Sequence, residues 1–402
     1  MHSKSIYLFF ALFCFSLTAC KRASTIAAPD KRAAAVQSSV APGTVLIEPQ
    51  FADAEQFHDG LAKVKVGTVA ESVAGYIDQS GKFAINPKYV FSKDFSEGLA
   101  PVSSPNDEKV NMGFIDNTGK YAIEPQFVSA DGFVDGTAIV AIGNRPPGTM
   151  GLINKAGQFV INPQYSWLWR LGQNRFSYRV SGFDEPEGLL DGQGRVVAAP
   201  QFTNLSGMSE GLIAASFGKA EAERCGYIDL NAKIVINPQF IRCQAFSEGL
   251  AAVVYDKGGQ RGYAYIDRRG NVAFRVPYQE VRAFSDGLAA VVVGTSKETA
   301  KWGFIDKRGA MVVTPQFDEV YSFKDGRAVV RVGGGYGNQA MSENRNLYDQ
   351  HHKVVTGKWG AIDTSGSYVV NPRFDLMTGA TSRLAPIRVG NHLTGKWGFV
   401  QL

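Results

Sequence analysis

A chain of 402 residues, 45% hydrophobic and 20% charged, is long enough for one large or two medium hydrophobic cores. Its 42 basic and 37 acidic residues leave a formal charge of only +5, and Lys and Arg are scattered, which argues against a nucleic-acid-binding footprint. With five histidines and no nucleophile motif, phosphate loop or dinucleotide fingerprint, no catalytic residue, metal or cofactor is assigned.

Residues 1–19, with Cys20 after them, read MHSKSIYLFFALFCFSLTAC: a basic start at Lys4, then an apolar core from Ile6 to Phe15. That core is too short for a stable transmembrane helix and has the form of a cleaved signal peptide. Its end, Leu17-Thr18-Ala19-Cys20, resembles the lipobox of bacterial lipoproteins. The resemblance implies lipidation of Cys20 with acyl chains such as palmitate, and hence a membrane contact through the lipid anchor. It also implies the cell envelope, and Lys21, standing where an aspartate would argue for inner-membrane retention, favours the outer membrane. Residues 20–44, rich in Ala, Ser and Pro, follow as a flexible tether with a root-mean-square reach of roughly 27 Å.

From residue 45 to 402 the chain repeats itself. A tetrapeptide of the form Gly-apolar-Ile-Asp begins at Gly75, Gly113, Gly151, Gly188, Gly226, Ala264, Gly303, Gly360 and Gly398. The spacing is about 38 residues, except for one gap of 57 that contains an insertion. A proline follows twelve residues after the glycine in most units, and one residue late, at Pro277, in the sixth. Then comes Phe-Ser-Glu-Gly-Leu-Ala, clearest at Phe95–Ala100 and Phe246–Ala251.

Each unit reads as a hairpin of two short apolar strands joined by Asp-x-x-Gly. The aspartate accepts turn amides and the glycine supplies positive φ. The proline is expected to end the second strand, a loop to carry an aromatic (Phe127, Phe240, Phe317) into the core, and Glu-Gly-Leu-Ala to open a third strand. The fold class is therefore all-β, a tandem repeat of nine three-stranded units that bury a core only by stacking on one another.

The run Lys-Trp-Gly-Phe-Ile-Asp-x-x-Gly, then Pro-x-Phe, then Phe-x-Asp/Glu-Gly-Leu-Ala, resembles the WG-repeat (KWG-repeat) family over essentially all of residues 45–402. At the position before the Gly-apolar-Ile-Asp glycine, tryptophan stands only at Trp302, Trp359 and Trp397; Ala74, Met112, Met150, Glu187 or Cys225 takes its place elsewhere, which marks it as a core filler. The chain opens on the second part of a unit (VLIEPQF) and closes on the first (KWGFVQL). Pairing strand 45–49 with strand 397–401 would close a propeller-like toroid, favoured over an open β-solenoid because it removes both sheet edges.

The aspartates of Asp-x-x-Gly read as turn caps. The carboxylates Glu97, Glu210, Glu248, Asp286 and Asp325 recur in too many units to single out a catalytic pair. Exceptions to the repeat are better site candidates. Residues 164–179 bring Trp167, Trp169, Arg170, Arg175, Tyr178 and Arg179, which suit a protein partner or sugar rings; a repacked inter-unit core with solvated arginines is the other reading. The insertion, residues 333–357, reads as an exposed loop carrying Tyr348, His351 and His352. Adjacent histidines rarely point the same way in a strand, so no metal is assigned to it. Cys225 and Cys243 could form a disulfide in an oxidising compartment, or remain buried thiols.

These observations lead to an envelope-anchored, non-enzymatic repeat lipoprotein that presents a binding surface to an envelope protein. A glycan- or peptidoglycan-binding module is the alternative, with an envelope hydrolase behind it.

Overall fold

The computed structural model describes residues 40–68, 71–103, 111–143, 148–182, 184–294, 296, 299–334, 357–379, 383–391 and 394–402. Cys20, Tyr348, His351 and His352 lie outside them. Residues 41–402 form one compact unit that contains every sheet. Nine antiparallel sheets make a closed ring, a nine-bladed β-propeller. In chain order, blade 1 spans residues 53–89, blade 2 92–127, blade 3 129–165, blade 4 167–202, blade 5 204–240, blade 6 242–276, blade 7 280–317 and blade 8 319–374. Blade 9 joins residues 376–401 to 45–51.

The expected three-stranded unit gains a fourth strand. The segment taken for a loop pairs with the strand after it: in blade 3, Ser129–Ala130 lies against Thr137–Ile142 through Val140↔Ala130 and Ala141↔Ser129. In blade 2 the same segment contributes one bridge, Ser92↔Val102, beside three full strands. A two-residue strand is too short to show a period of two. These first strands line the centre of the ring, where their side chains span to the next blade's first strand. Gln244 Nε2, for example, donates to the Val281 carbonyl at 2.9 Å.

The proline also behaves differently from expectation: it lies inside the fourth strand. In blade 2 the strand Tyr121–Phe127 runs through Pro125, and its register against Met112–Ile115 slips between Met112↔Phe127 and Phe114↔Ile123. At such a bulge the ladder is already interrupted, so the missing N–H costs nothing. The bulge also explains the glycine of Gly-x-Ile-Asp. A β-carbon at Gly113 would sit 2.5 Å from the Ile123 carbonyl oxygen and 2.7 Å from the Pro125 nitrogen. Blade 6 carries Ala264 instead, and there the proline has moved out of the strand Val272–Val276 and the ladder runs Tyr263↔Val276, Ala264↔Arg275. Proline in the fourth strand of the other eight blades also blunts their outer edge against pairing with another chain.

The Lys-Trp-Gly triplet joins blades. In blade 7 the Lys301 ammonium pairs with Asp318, in the link to blade 8. Trp302 packs in one cluster with Val320 of blade 8, under the Arg282 guanidinium, 4.4 Å from its ring centroid. Among the described residues the core divides into nine such clusters, most of them combining the facing sides of neighbouring blades.

Closure rebuilds a broken turn. In blade 1 the Asp78-x-x-Gly81 hairpin makes two backbone bonds, Gly81 N to Asp78 O at 3.0 Å and Asp78 N to Lys82 O at 2.9 Å. At the chain ends, Gly43 N donates to Gln401 O at 2.8 Å and Gln401 N to Thr44 O at 2.9 Å. Residues 41–44, assigned to the tether from sequence, thus complete the missing turn, and Val45–Phe51 pairs with Lys396–Gln401.

Candidate binding surface on the loop face

Each blade's topology gives the ring two unlike faces. Turns between first and second and between third and fourth strands emerge on one face, here the turn face. Connections between second and third strands and between blades emerge on the other, the loop face, where the strands that flank the insertion, Arg327–Val332 and Lys358–Asp363, end and begin.

The turn face is regular and its carboxylates are occupied. Asp78 Oδ1 accepts from the amides of Ser80 and Lys82 at 2.8 and 3.1 Å, and the other turn aspartates repeat this cap. Glu97, held at φ 53°, accepts the Gly136 amide of the next blade at 3.0 Å; Glu210 takes Gly249, Glu248 takes Gly287 and Asp286 takes Gly326. Burial raises the pKa of Glu97 and Glu248. The ammoniums of Lys155 and Lys307 and those glycine amides outweigh it, and both carboxyls stand below the usual glutamate value. Ser96, Ser247 and Ser285 donate to the carbonyls of Phe133, Phe284 and Phe323, one blade on. The whole Phe-Ser-Glu-Gly motif is thus a blade-to-blade fastening.

The irregular residues 164–179 run from the loop face, where Trp167 opens its strand, to the turn between Gly172 and Arg175 and back. Trp167 and Trp169 lie two apart on the first strand of blade 4, Trp167–Gly172, so they share one side of it. Their rings stack with centroids 5.9 Å apart and planes 11° from parallel, and Trp169 is 51% exposed. Phe91 holds the position of Trp167 in blade 2 and is 57% exposed. Among the corresponding residues of blades 5, 6 and 7 are Asn204, Arg242 and Glu280, which line a cleft of 1620 Å³ together with Glu221, Arg224 and Arg282.

The other residues singled out in 164–179 are occupied. Tyr178 is buried with its ring 5.0 Å from Tyr165, so it is core and no stacking platform. The arginines, solvated on one reading of the sequence, are ties. Arg170 donates to the Thr137 carbonyl and hydroxyl at 3.0 and 2.8 Å, and Arg175 to the Leu230 carbonyl at 2.7 Å. Arg179 pairs at 2.8 Å with Glu187, whose second oxygen accepts the Leu205 amide at 2.9 Å. Glu187 stands at the tryptophan position, where Cys225 stands one unit on. Cys225 forms a disulfide with Cys243 on the first strand of the next blade, Cα atoms 6.1 Å apart. Trp302, Glu187 and Cys225 thus solve one problem three ways, binding a third strand to the next blade's first. That equivalence is invisible until the blades are side by side. Among the described residues no group of His, Cys, Asp and Glu converges as a metal site.

The family model for the WG containing repeat matches residues 43–67, 75–104, 112–145, 150–182, 188–219, 226–258, 263–294, 302–336 and 359–397. The chain belongs to the WG-repeat family. Each WG repeat here straddles two blades: residues 150–182 contain the third and fourth strands of blade 3 and the first two of blade 4. No curated protein matches the chain. Solved structures with similar architecture include one titled as a eukaryotic initiation factor, at 11% identity and TM-score 0.41, covering 85% of this chain and 98% of that one. Another is apo prolyl oligopeptidase B from Galerina marginata, at 10% identity and TM-score 0.42, covering 90% of this chain and 58% of that one. TolB from Acinetobacter baumannii aligns at 14% identity and TM-score 0.31, covering 69% and 77%.

Proposed function

We propose that this WG-repeat protein is a non-enzymatic binding module, held at the bacterial outer membrane by acylation of Cys20, that contacts an envelope protein through its loop face. The observation that carries the reading is the stacked pair Trp167 and Trp169, with Trp169 exposed, on the first strand of blade 4 where it leaves that face. Most other large aromatics of the repeat are buried or packed between blades, so the exposed Trp169 indole stacked on Trp167 has the composition of an interface anchor. The repeated carboxylates of the turn face are bound to backbone amides, which leaves a hydrolase without an evident acid–base pair.

The test is affinity capture from envelope extract on immobilised residues 41–402, with Trp167→Ala/Trp169→Ala beside the native chain. A protein recovered by the native ring and lost from the variant, at matched thermal stability, supports the reading. Recovery of polysaccharide alone would replace it with the glycan-binding alternative, for which the same flat indole pair would be the platform. Equal recovery by both forms would refute a contact through this pair.

A further inference from the structure

Blade 6 is the one blade whose outer edge is unguarded. The fourth strand of every other blade carries a proline inside it, at a break in the ladder, which spoils it as a template for another chain. Blade 6 ends instead on Val272–Val276, with Pro277 just outside the strand. Its pairs Tyr263↔Val276, Ala264↔Arg275 and Tyr265↔Phe274 follow one another in register, and the one shift lies nearer the turn, between Tyr265 and Ile266. Behind this strand the blade is stiffened by eight consecutive pairs, from Leu250↔Asp267 to Lys257↔Gln260. Val272–Val276 is the last strand of its sheet, and among the described residues no further strand lies against it.

The two sides of the edge differ in chemistry. Phe274 and Val276 turn toward blade 7 and pack in one cluster with Val281 and Phe284. Arg275, between them, is exposed and turns the other way, its guanidinium 5.3 Å from the centroid of the Tyr255 ring. From Arg268 to Gln279 the chain carries three arginines and no carboxylate. The adjoining acid, Asp267, is taken up by the turn amides of Arg269 and Asn271 at 2.9 Å each. The outer strands on either side, Ile234–Phe240 and Met311–Phe317, contain no acid either.

We propose that the blade 6 edge is a docking site for an extended segment of another protein, which joins the sheet as a fifth strand beside Val272–Val276. Main-chain hydrogen bonds supply the affinity of such an addition, and alternate side chains supply its specificity. Here the incoming segment sets an apolar residue beside Phe274 and an acidic one beside Arg275, the cross-strand pairing that this edge lacks within its own sheet. A second copy of the chain is a poorer match, because its own edge brings another Arg275 and no acid. So are residues 20–39, with Lys21, Arg22, Lys31 and Arg32 against one acid, Asp30. The site is separate from the indole pair on blade 4 and does not rest on that reading.

The probe is a labelled heptapeptide alternating valine and glutamate, with a valine–lysine alternation as control. Each is titrated by fluorescence anisotropy into residues 41–402, the compact unit that holds all nine sheets. The glutamate peptide should bind about fivefold tighter than the lysine peptide, and Arg275→Glu, at an exposed position, should reverse that preference. On binding, amide hydrogen exchange should slow at residues 272–276 and stay unchanged at 311–317, where Pro315 guards the edge of blade 7. Trp167→Ala/Trp169→Ala should bind the peptide as the native ring does. The proposal is overturned by peptides that do not bind or bind alike, by a preference that Arg275→Glu leaves in place, or by protection away from residues 272–276. Protection of those residues that grows with ring concentration in the absence of peptide would overturn it in favour of a second copy. Loss of binding in the tryptophan variant would overturn it in favour of the loop face.

Discussion

Replacing Gly303 by alanine tests the interlock between the Gly-x-Ile-Asp glycine and the proline bulge. The added β-carbon would lie 2.6 Å from the Val313 carbonyl oxygen, 2.9 Å from the Pro315 nitrogen and 3.1 Å from the Pro315 Cα. All three are backbone atoms of the strand Met311–Phe317, so no rotamer change relieves the contact. Either the third and fourth strands of blade 7 separate or the bulge is redrawn. Overpacking of this kind costs about 1–3 kcal/mol, while stiffening the unfolded chain by Gly→Ala returns about 0.5–1 kcal/mol. The balance should be a net loss of roughly 1–2 kcal/mol. Equilibrium urea unfolding measures it, with Gly132→Ala as the control, since a β-carbon there meets only the Ser96 side chain at 3.4 Å. A Gly303→Ala ring as stable as the native one would refute the interlock and leave the triplet's glycine without an explanation.

Three further outcomes follow from the same geometry. Reducing the Cys225–Cys243 disulfide, or replacing both cysteines by alanine, should cost about 3 kcal/mol for a closed loop with a sequence separation of 18, read as a shift in the unfolding midpoint. Phe399→Ala should cost about 3–5 kcal/mol, because Phe399 is fully buried in the closing blade with its ring 4.9 Å from Phe57; a loss under 1 kcal/mol would mean that the ring does not depend on its closing strand. Glu97 and Glu248 have carboxyl pKa values lowered by folding, so their contribution is present above the unfolded value near 4.3 and is lost as pH falls through the lower folded value. Glu97→Gln/Glu248→Gln should therefore flatten the fall of stability below about pH 4.5, read by thermal melts across that range.

The parts of the fold legible in the sequence are those in which neighbours in space are neighbours in the chain. The Asp-x-x-Gly hairpin is local chemistry, and so is the phase mismatch between VLIEPQF and KWGFVQL that foretold closure. The fourth strand escaped because Ser129–Ala130 is two residues long, and the proline misled because a bulge hides its missing donor. Arg170, Arg175 and Arg179 looked solvated because their acceptors are not beside them in the chain. Arg170 reaches Thr137 and Arg175 reaches Leu230, each in a neighbouring blade.

The central claim is a closed ring that meets a protein partner through the exposed Trp169 indole. The most direct measurement places a photocrosslinking amino acid at position 169 and, in a second protein, at position 233 on a turn of blade 5, in the full chain in cells. The account predicts protein adducts from position 169 and not from position 233. Protein adducts from position 233 with none from position 169 would contradict it.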